Sequence, residues 1–231
     1  MEGVNGKKVG HLFENISSFV RQCIFSVLNV GPIPSHIAFV MDGNSRYSKK
    51  QNLVDGDGHR AGFSALINML RYCYELGVKY ITVYAFSIDN FKRRPEEVVS
   101  LMKLMQEKID ELTKEESIVN RLGIRIYFQG NLKLLSDPVR SAAERAMVKT
   151  AGNSKADKDE HLIGVTNVDP DVIIRTSGAT RLSNFLLWQS AHCLLYSPAV
   201  LWPEIGLRHL IWIVLDFQRN YLYLKEKKKQ A

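Results

Sequence analysis

The sequence predicts an α/β fold built on an open, mainly parallel sheet flanked by helices. Three apolar runs, at residues 36–40, 80–86 and 172–174, have the length and composition of buried strands, and each ends in polar side chains. Stretches of helical periodicity separate the runs, so crossover connections would place neighbouring strands parallel. With 231 residues, 45% of them hydrophobic, the chain can bury one sizeable core.

The first 30 residues predict an amphipathic helix. Its polar positions, Arg21 among them, fill one face, and its apolar positions recur at helical spacing on the other. These apolar positions are Leu12, Phe13, Ile16, Phe19, Val20, Cys23, Ile24, Val27 and Leu28. Glu14 and Arg21 interrupt any uniformly apolar span, which excludes a transmembrane helix, and no signal-peptide pattern is present. The apolar face can cover the chain's own core, lie in a membrane interface or bind a partner, and periodicity leaves these alternatives open.

The following elements alternate between helix and strand. A polar loop over residues 51–59 leads into a helix whose apolar face carries Phe63, Leu66, Ile67, Leu70 and Tyr74. After the strand at 80–86, Pro95 and two glutamates open a long helix in the favoured way. A short strand at 124–128 and a helix starting near Asp137 follow. No internal repeat interrupts this order.

Charge and cysteine content narrow the class of protein. The net charge of +7 favours an anionic partner, and nucleic acid, phosphorylated metabolites and an acidic membrane all qualify. Part of this charge lies in a basic tail at residues 225–231. Cys23, Cys73 and Cys193 are far apart in apolar surroundings, which predicts reduced core residues. A structural zinc site is not expected.

Polar groups follow each of the three predicted strands. The three clusters are Asp42, Asn44 and Arg46; Ser87, Asn90 and Arg93; and Arg175, Arg181 and Ser183. Because the carboxyl ends of parallel strands meet at one edge of a sheet, we expect these side chains to converge. Arginine forks match phosphate oxygens, and a carboxylate can share Mg²⁺ with those oxygens, so a diphosphate ligand is inferred, and two would fit. His59 could contact phosphate, move a proton or simply cap a helix.

Six long motifs resemble the cis-prenyltransferases, the undecaprenyl and dehydrodolichyl diphosphate synthase family, and within it the plant and animal dehydrodolichyl diphosphate synthase and rubber-type catalytic subunits. The motifs are residues 36–44, 58–63, 84–91, 175–178, 181–189 and 201–204. The resemblance covers about residues 30–150 and 170–222. It implies an enzyme that extends an allylic diphosphate, typically farnesyl diphosphate, by condensing isopentenyl diphosphate units onto it with cis geometry.

The resemblance also implies residue roles. Asp42 would support Mg²⁺ and the departure of diphosphate, and His59 is a further catalytic candidate. Gly43, Asn44 and Arg46 would hold the allylic diphosphate. Asn90, a catalytic candidate, would lie near the condensing carbons and assist proton removal, in a region lined by Ser87, Phe91 and Arg93. Arg175, Arg181 and Ser183 would bind isopentenyl diphosphate. An apolar tunnel must take the growing product, and Leu66, Leu70, Met102 and Met105 could line it, although their helical spacing favours a simple core role for each of them.

Two departures from the bacterial homodimeric pattern resemble the catalytic subunit of a two-component enzyme. Leu194 stands where the bacterial enzymes have a metal-ligand Glu, and the chain ends without the Arg-x-Gly tail that completes the isopentenyl site. The resemblance therefore implies a heteromer in which a noncatalytic subunit supplies that tail, in peripheral contact with the cytosolic face of the endoplasmic reticulum membrane. A nucleic-acid partner is not expected, because the arginines follow strand ends rather than an exposed groove with aromatics.

A third departure is an absence. Between Asn153 and Asp171 the family normally has several dozen more residues, including a central strand, and the polar bridge at 156–170 is not expected to replace a buried strand. The predicted organisation is an N-terminal helix at 1–30, a catalytic domain at 31–224 shortened around 155–170, and the tail at 225–231. A catalytically impaired isoform or a noncatalytic interaction subunit is the alternative.

Overall fold

A parallel six-stranded sheet forms the centre of the computed structural model, which describes residues 16–54, 56–153, 162–163 and 168–230. Its strands are β1 (His36–Val40), β2 (Tyr80–Tyr84), β3 (Arg125–Ile126), β4 (Leu162–Ile163), β5 (Val172–Arg175) and β6 (Leu194–Tyr196). They lie in the order β3-β4-β2-β1-β5-β6, and every pairing between them is parallel. The predicted α/β fold with a parallel sheet is confirmed.

Helices flank the sheet. They are α1 (16–28), α2 (Asn44–Lys50), α3 (Asp57–Leu76), α4 (Pro95–Leu112), α5 (Ile118–Arg121), α6 (Asp137–Thr150) and α7 (Leu207–Gln230), with 3-10 turns at Ile88–Lys92, Leu132–Leu134 and Trp202–Glu204. The sequence predicted α4 and the start of α6 correctly. It missed α2, a short helix made of polar residues with no apolar period to reveal it. Since α3 begins at Asp57, His59 lies in its first turn rather than in a loop.

The core lies on both faces of the central strands. On one face, Ile37 and Phe39 of β1 pack in a cluster shared with α1, α3 and α7. On the other, Ala38 and Val40 pack against Ile173 and Phe185. All five residues of β1 are buried, as expected for a central parallel strand covered on both sides.

The N-terminal helix does not follow the predicted division into faces. It buries Phe25 and Leu28, whereas Phe19 and Val27 are 65% and 72% exposed. Arg21, expected on the solvent face, instead turns towards α3, where its Nε lies 2.5 Å from the Glu75 carboxylate. A long side chain can bury its stem and reach an acceptor on the neighbouring helix, which an apolar periodicity does not register.

The cysteines differ in their burial. Cys23 is exposed, so the expectation that all three cysteines are core residues was wrong; Cys73 is buried. Burial raises the pKa of the Cys73 thiol to about 12, which makes it unreactive. Leu12 and Phe13 lie outside the described residues.

The polar bridge does contribute a strand, contrary to expectation. Leu162 and Ile163 pair with Tyr80 and Ile81 of β2, and on the other side with β3. Strand pairing uses main-chain groups, so a two-residue pairing can form within a polar stretch. β4 nevertheless pairs with only the first two of the five residues of β2.

A polar network ties the N-terminal ends of the central strands to α7. The buried His36 ring lies with Nε2 2.9 Å from Thr82 Oγ1 and Nδ1 2.8 Å from the Val168 carbonyl oxygen. Asp171 accepts from the His36 N–H at 3.2 Å, and Lys228 reaches its other oxygen at 2.7 Å. Burial lowers the pKa of His36, and the Val168 hydrogen bond and the Asp171 charge oppose this only in part. Residues 225–230 of the predicted basic tail continue α7, and Lys228 joins this helix to Asp171.

Candidate active site at the strand ends

The site centres on the Asp42 carboxylate, which lies between two arginines. Val40 and Arg175 are partners in the β1–β5 register, so Asp42 follows one strand end directly beside the other. Arg175 Nη2 donates to Asp42 Oδ2 at 2.7 Å, and Arg46 Nη2, from the first turn of α2, donates to Oδ1 at 2.9 Å. The Arg175 side chain is 8% exposed and that of Arg46 is 56% exposed. Partial burial would raise the pKa of Asp42, but Arg175 and then Arg46 outweigh it and hold that pKa below its ordinary value.

Arg175 also gathers the loop that follows β5. Its Nη1 donates to Ser183 Oγ at 2.6 Å and to the Arg181 carbonyl oxygen at 2.8 Å. Ser183 and Asn184 have left-handed backbones, with φ of 50° and 62°, which turns this loop back over the strand end. Arg175 Nε is buried and has no hydrogen-bond partner among the described residues, so one donor of the guanidinium is left for a ligand. The Arg181 side chain is exposed.

Two residues that the sequence reasoning gave no role hold the backbone of Asp42. Thr176 Oγ1 accepts from the Asp42 N–H at 3.0 Å and donates to the Asp42 carbonyl oxygen at 2.7 Å. The Trp202 N–H also donates to that oxygen, at 3.0 Å. Both residues belong to the motifs at 175–178 and 201–204, and the threonine directly follows a buried strand.

The second strand end closes on itself. Asn90 Oδ1 accepts from the Ser87 N–H at 2.7 Å and from the Ser87 hydroxyl at 3.2 Å, which fixes the 3-10 turn. Phe91 is 40% exposed and packs edge-on against Phe86 with ring centroids 5.0 Å apart. The Tyr84 hydroxyl donates to the Ser183 carbonyl oxygen at 3.1 Å, which links this strand end to the loop beyond Arg175.

His59 approaches this second cluster from α3. Burial, and then the charge of Arg93, lower the pKa of His59, while Glu97 acts in the opposite direction. The lowered pKa favours the neutral form of the imidazole. The preceding Gly58 donates its N–H to Ser48 Oγ at 2.9 Å, and a methyl group at Gly58 would overlap the Ser48 side chain and the α2 backbone.

The residues between Asp42 and Arg46 have different environments. Gly43 has φ of 111°, a left-handed value that glycine adopts without strain, and it packs against Leu201. Asn44 Oδ1 is buried without a hydrogen-bond partner in the described part of the chain, and it faces Gly62 of α3. Asn44 is therefore directed towards the α3 interface rather than towards the Asp42 carboxylate.

The candidate tunnel residues fall into two groups. Leu66 and Leu70 belong to the core between α3 and the sheet, whereas Met102 and Met105 belong to a separate cluster between α4 and α6. The structure does not bring these four side chains into one lining. No helix among the described residues has the length and apolar content needed to span a bilayer.

The described carboxylates limit how a magnesium ion could be bound. Within residues 16–54, 56–153, 162–163 and 168–230 there is no group of three or more His, Cys, Asp or Glu residues that could hold a metal ion. Asp42 is a single carboxylate, 24% exposed, at the sheet edge. Mg²⁺ is commonly held by one or two carboxylates together with substrate phosphates and water. Asp42 fits such an ion only when a diphosphate supplies further oxygens.

Comparison with known proteins gives one consistent result. The undecaprenyl diphosphate synthase family model matches residues 40–158 and 154–223. A dehydrodolichyl diphosphate synthase of Solanum lycopersicum is 73% identical over 290 aligned positions, with 100% of both chains covered. A rubber cis-polyprenyltransferase of Hevea brasiliensis is 44% identical over 282 positions, covering 99% of each chain. The human dehydrodolichyl diphosphate synthase complex subunit DHDDS is 36% identical over 262 positions, covering 93% of this chain and 78% of the human one.

A solved structure shows the same fold. Lavandulyl diphosphate synthase from Lavandula x intermedia, crystallised with dimethylallyl diphosphate, superposes with a TM-score of 0.70 at 23% identity. The match covers 80% of this chain and 95% of the lavender enzyme.

The alignment with the tomato relative has 290 positions, 59 more than the 231 residues of this chain. The two segments of the family match meet at residues 154–158.

Proposed function

The chain belongs to the undecaprenyl diphosphate synthase family of cis-prenyltransferases, whose function here is cis-polyprenyl diphosphate synthesis for dolichol or rubber. From this membership we propose that its two diphosphate substrates react at the Asp42 cluster. One observation carries this proposal. The Asp42 carboxylate is bonded to two arginines from different elements, and the buried one, Arg175, also bonds Ser183. Cations preorganised at one strand end are suited to bind diphosphate oxygens.

The two diphosphates would occupy opposite sides of Asp42. Arg46 and the Gly43 turn would hold the allylic diphosphate, and Asn44, which packs against α3, would support that turn. Arg175, Arg181 and Ser183 would hold isopentenyl diphosphate, and Arg175 has a buried donor left for it. Bidentate guanidinium contacts both bind and orient a phosphate group, which brings the reacting carbons of the two substrates together.

Charge stabilisation at the leaving diphosphate would supply much of the catalysis. When the allylic C–O bond breaks, negative charge grows on the diphosphate, and fixed arginines stabilise it without reorganisation. A bound Mg²⁺ would add Lewis-acid stabilisation of the same charge, with Asp42 as its protein ligand. Asn90, held in place by Ser87, would lie beside the condensing carbons with Phe91 and Arg93. Neutral His59 could accept the proton that isopentenyl diphosphate loses.

An incorporation assay tests these roles. Purified chain, supplemented with a noncatalytic cis-prenyltransferase-like subunit, receives farnesyl diphosphate and radiolabelled isopentenyl diphosphate, with and without Mg²⁺. We expect Mg²⁺-dependent labelling of extracted polyprenyl product, and its loss in Asp42→Asn. Val148→Ser is the matched control, because Val148 is 78% exposed on α6 and contributes to no contact of the site. Equal labelling by Asp42→Asn and wild type would contradict the assignment of Asp42.

We further propose that the active form is a heteromer. The human relative is named as a complex subunit, and Leu194 stands in β6 where a family carboxylate is expected. In the incorporation assay, addition of a noncatalytic cis-prenyltransferase-like subunit with an Arg-x-Gly tail should raise labelling, and removal of that tail from the partner should abolish the gain. Full activity of the chain alone would contradict this proposal.

We also propose peripheral binding to the cytosolic face of the endoplasmic reticulum through α1. Its outward stripe includes Ile16, Val20 and Val27, each at least half exposed, beside Phe19. Apolar side chains on the surface of a helix can insert into a lipid interface. Phe19→Ser combined with Val27→Ser should reduce flotation with anionic liposomes, whereas Val148→Ser should float like wild type. Equal flotation of all three proteins would refute the idea.

A catalytically impaired isoform is a second candidate, supported by a specific observation. The tomato alignment has 59 more positions than this chain, and the family match divides at residues 154–158. We propose that an internal segment is deleted here. A chimera that receives the tomato relative's segment at this point should gain thermal stability and labelling activity. Equal stability and activity of the two chains would show that the shorter connection is sufficient.

A further inference from the structure

We propose that Thr176 is a positioning residue that fixes the orientation of Asp42 at the diphosphate site. The proposal rests on the role of Asp42 given above. Thr176 is fully buried, and its single hydroxyl is bonded to both backbone polar groups of Asp42. Hydrogen bonds at the N–H and the carbonyl oxygen hold the Asp42 backbone and therefore the direction of its Cα–Cβ bond, from which Arg175 and Arg46 hold the carboxylate.

Threonine suits this role for two reasons. A hydroxyl has one donor hydrogen and two acceptor lone pairs, so it can accept from an N–H and donate to a carbonyl at once. The branched Cβ restricts χ1, which keeps the hydroxyl in place. Valine has the same shape but lacks the hydroxyl, and serine keeps the hydroxyl on a freer side chain.

The neighbours of Thr176 act on the same aspartate. Arg175 donates to the Asp42 carboxylate, and Ser177 Oγ accepts from Arg46 at 2.7 Å, the other arginine on that carboxylate. Ser177 has a left-handed backbone with φ of 71°, and its N–H donates to the Val200 carbonyl oxygen at 2.6 Å. Three consecutive residues therefore hold the charge, the backbone and the second partner of Asp42.

Removal of the Thr176 hydroxyl should leave the fold intact. The Asp42 N–H also donates to the Val40 carbonyl oxygen at 3.0 Å, and the Asp42 carbonyl oxygen also accepts from the Trp202 N–H at 3.0 Å. Thr176→Val thus leaves neither backbone group without a partner, and a large loss of stability is not expected. The loss should be in alignment, where a small displacement of a catalytic group has a large effect.

The test measures binding, with stability recorded separately. Isothermal titration calorimetry follows the S-thiolo analogue of farnesyl diphosphate binding to the full chain with and without Mg²⁺, and circular dichroism gives each Tm. Mg²⁺ should raise the affinity for the analogue, and we expect this increase to be on the order of tenfold smaller in Thr176→Val than in wild type, with an unchanged Tm. Thr176→Ser should recover most of that gain.

Asp42→Asn separates failure of this proposal from failure of the proposed function. If Asp42→Asn keeps the full gain from Mg²⁺, the assigned role of Asp42 is wrong. If Asp42→Asn loses the gain and Thr176→Val keeps it, the positioning role of Thr176 is overturned. Unfolding of Thr176→Val, or a Tm loss shared equally with Thr176→Ser, would show a purely structural role and would also overturn it.

Discussion

The two arginines on Asp42 should differ sharply in how much they stabilise the fold. Arg175 is 8% exposed and Arg46 is 56% exposed, although each donates to one oxygen of the same carboxylate. A hydrogen bond to a charged group contributes about 1.5–3 kcal/mol when buried, whereas an exposed ion pair contributes less than about 1 kcal/mol. We therefore expect a coupling free energy of about 2 kcal/mol for Asp42 with Arg175 and a few tenths for Asp42 with Arg46.

Two double-mutant cycles measure these coupling energies. Asp42→Ala is combined with Arg175→Ala in one cycle and with Arg46→Ala in the other, and urea unfolding is followed by circular dichroism. Repetition in 1 M salt should reduce the exposed coupling more than the buried one, because screening acts mainly on exposed charges. Equal coupling energies, or a larger value for Arg46, would refute the reasoning from burial.

Three further predictions concern pH, packing and substrate binding. Because the pKa of His36 is lowered from 6.5, the unfolded state takes up its proton first; stability is full above pH 6.5 and falls as the pH drops through the folded-state pKa, by up to about 1.4 kcal/mol per unit. In His36→Gln, the free energy of unfolding measured in urea should fall less steeply as the pH is lowered. Gly58→Ala should cost about 1–3 kcal/mol in urea unfolding, since its methyl overlaps the α2 backbone, whereas Gly152→Ala, with open space around it, should be near neutral. Arg181→Lys should raise the KM for isopentenyl diphosphate in the incorporation assay, because an ammonium cannot form the bidentate contact.

Each of these has an outcome that contradicts it. An unchanged pH slope in His36→Gln would show that the buried imidazole does not control acid stability. Similar stabilities for the two alanine variants would mean that α2 and α3 can separate at no cost. A raised KM for the allylic diphosphate alone in Arg181→Lys would show that the two substrate sites are assigned in reverse.

The sequence predicted the strands β1, β2, β3 and β5 and the contact between the ends of β1 and β5, because long apolar runs indicate strands and parallel neighbours end at the same edge of a sheet. The cluster at the end of β2 instead bonds mainly within itself. Apolar periodicity could not reveal α2, whose residues are polar. It also could not anticipate that Arg21 would pair with Glu75, since that contact depends on how two helices pack. The contact between Asp42 and Arg175 could be predicted, because parallel strands end at the same edge of a sheet. The role of Thr176 could not, because it depends on the direction of one hydroxyl.

The two-residue strand β4 has a mechanical consequence. Among the described residues it links β3 to β2, and its pairing with β2 there runs over Tyr80 and Ile81. In this part of the chain, the seam between β2 and β4 is shorter than the pairing of β2 with β1. Such a seam is expected to open at lower free energy than the five-residue β1–β2 pairing, so amide exchange should be fast at β3 while the amides of β1 remain protected. The β3 side of the sheet would then open first, while β1 and β5, the strands that end at the Asp42 cluster, would stay paired.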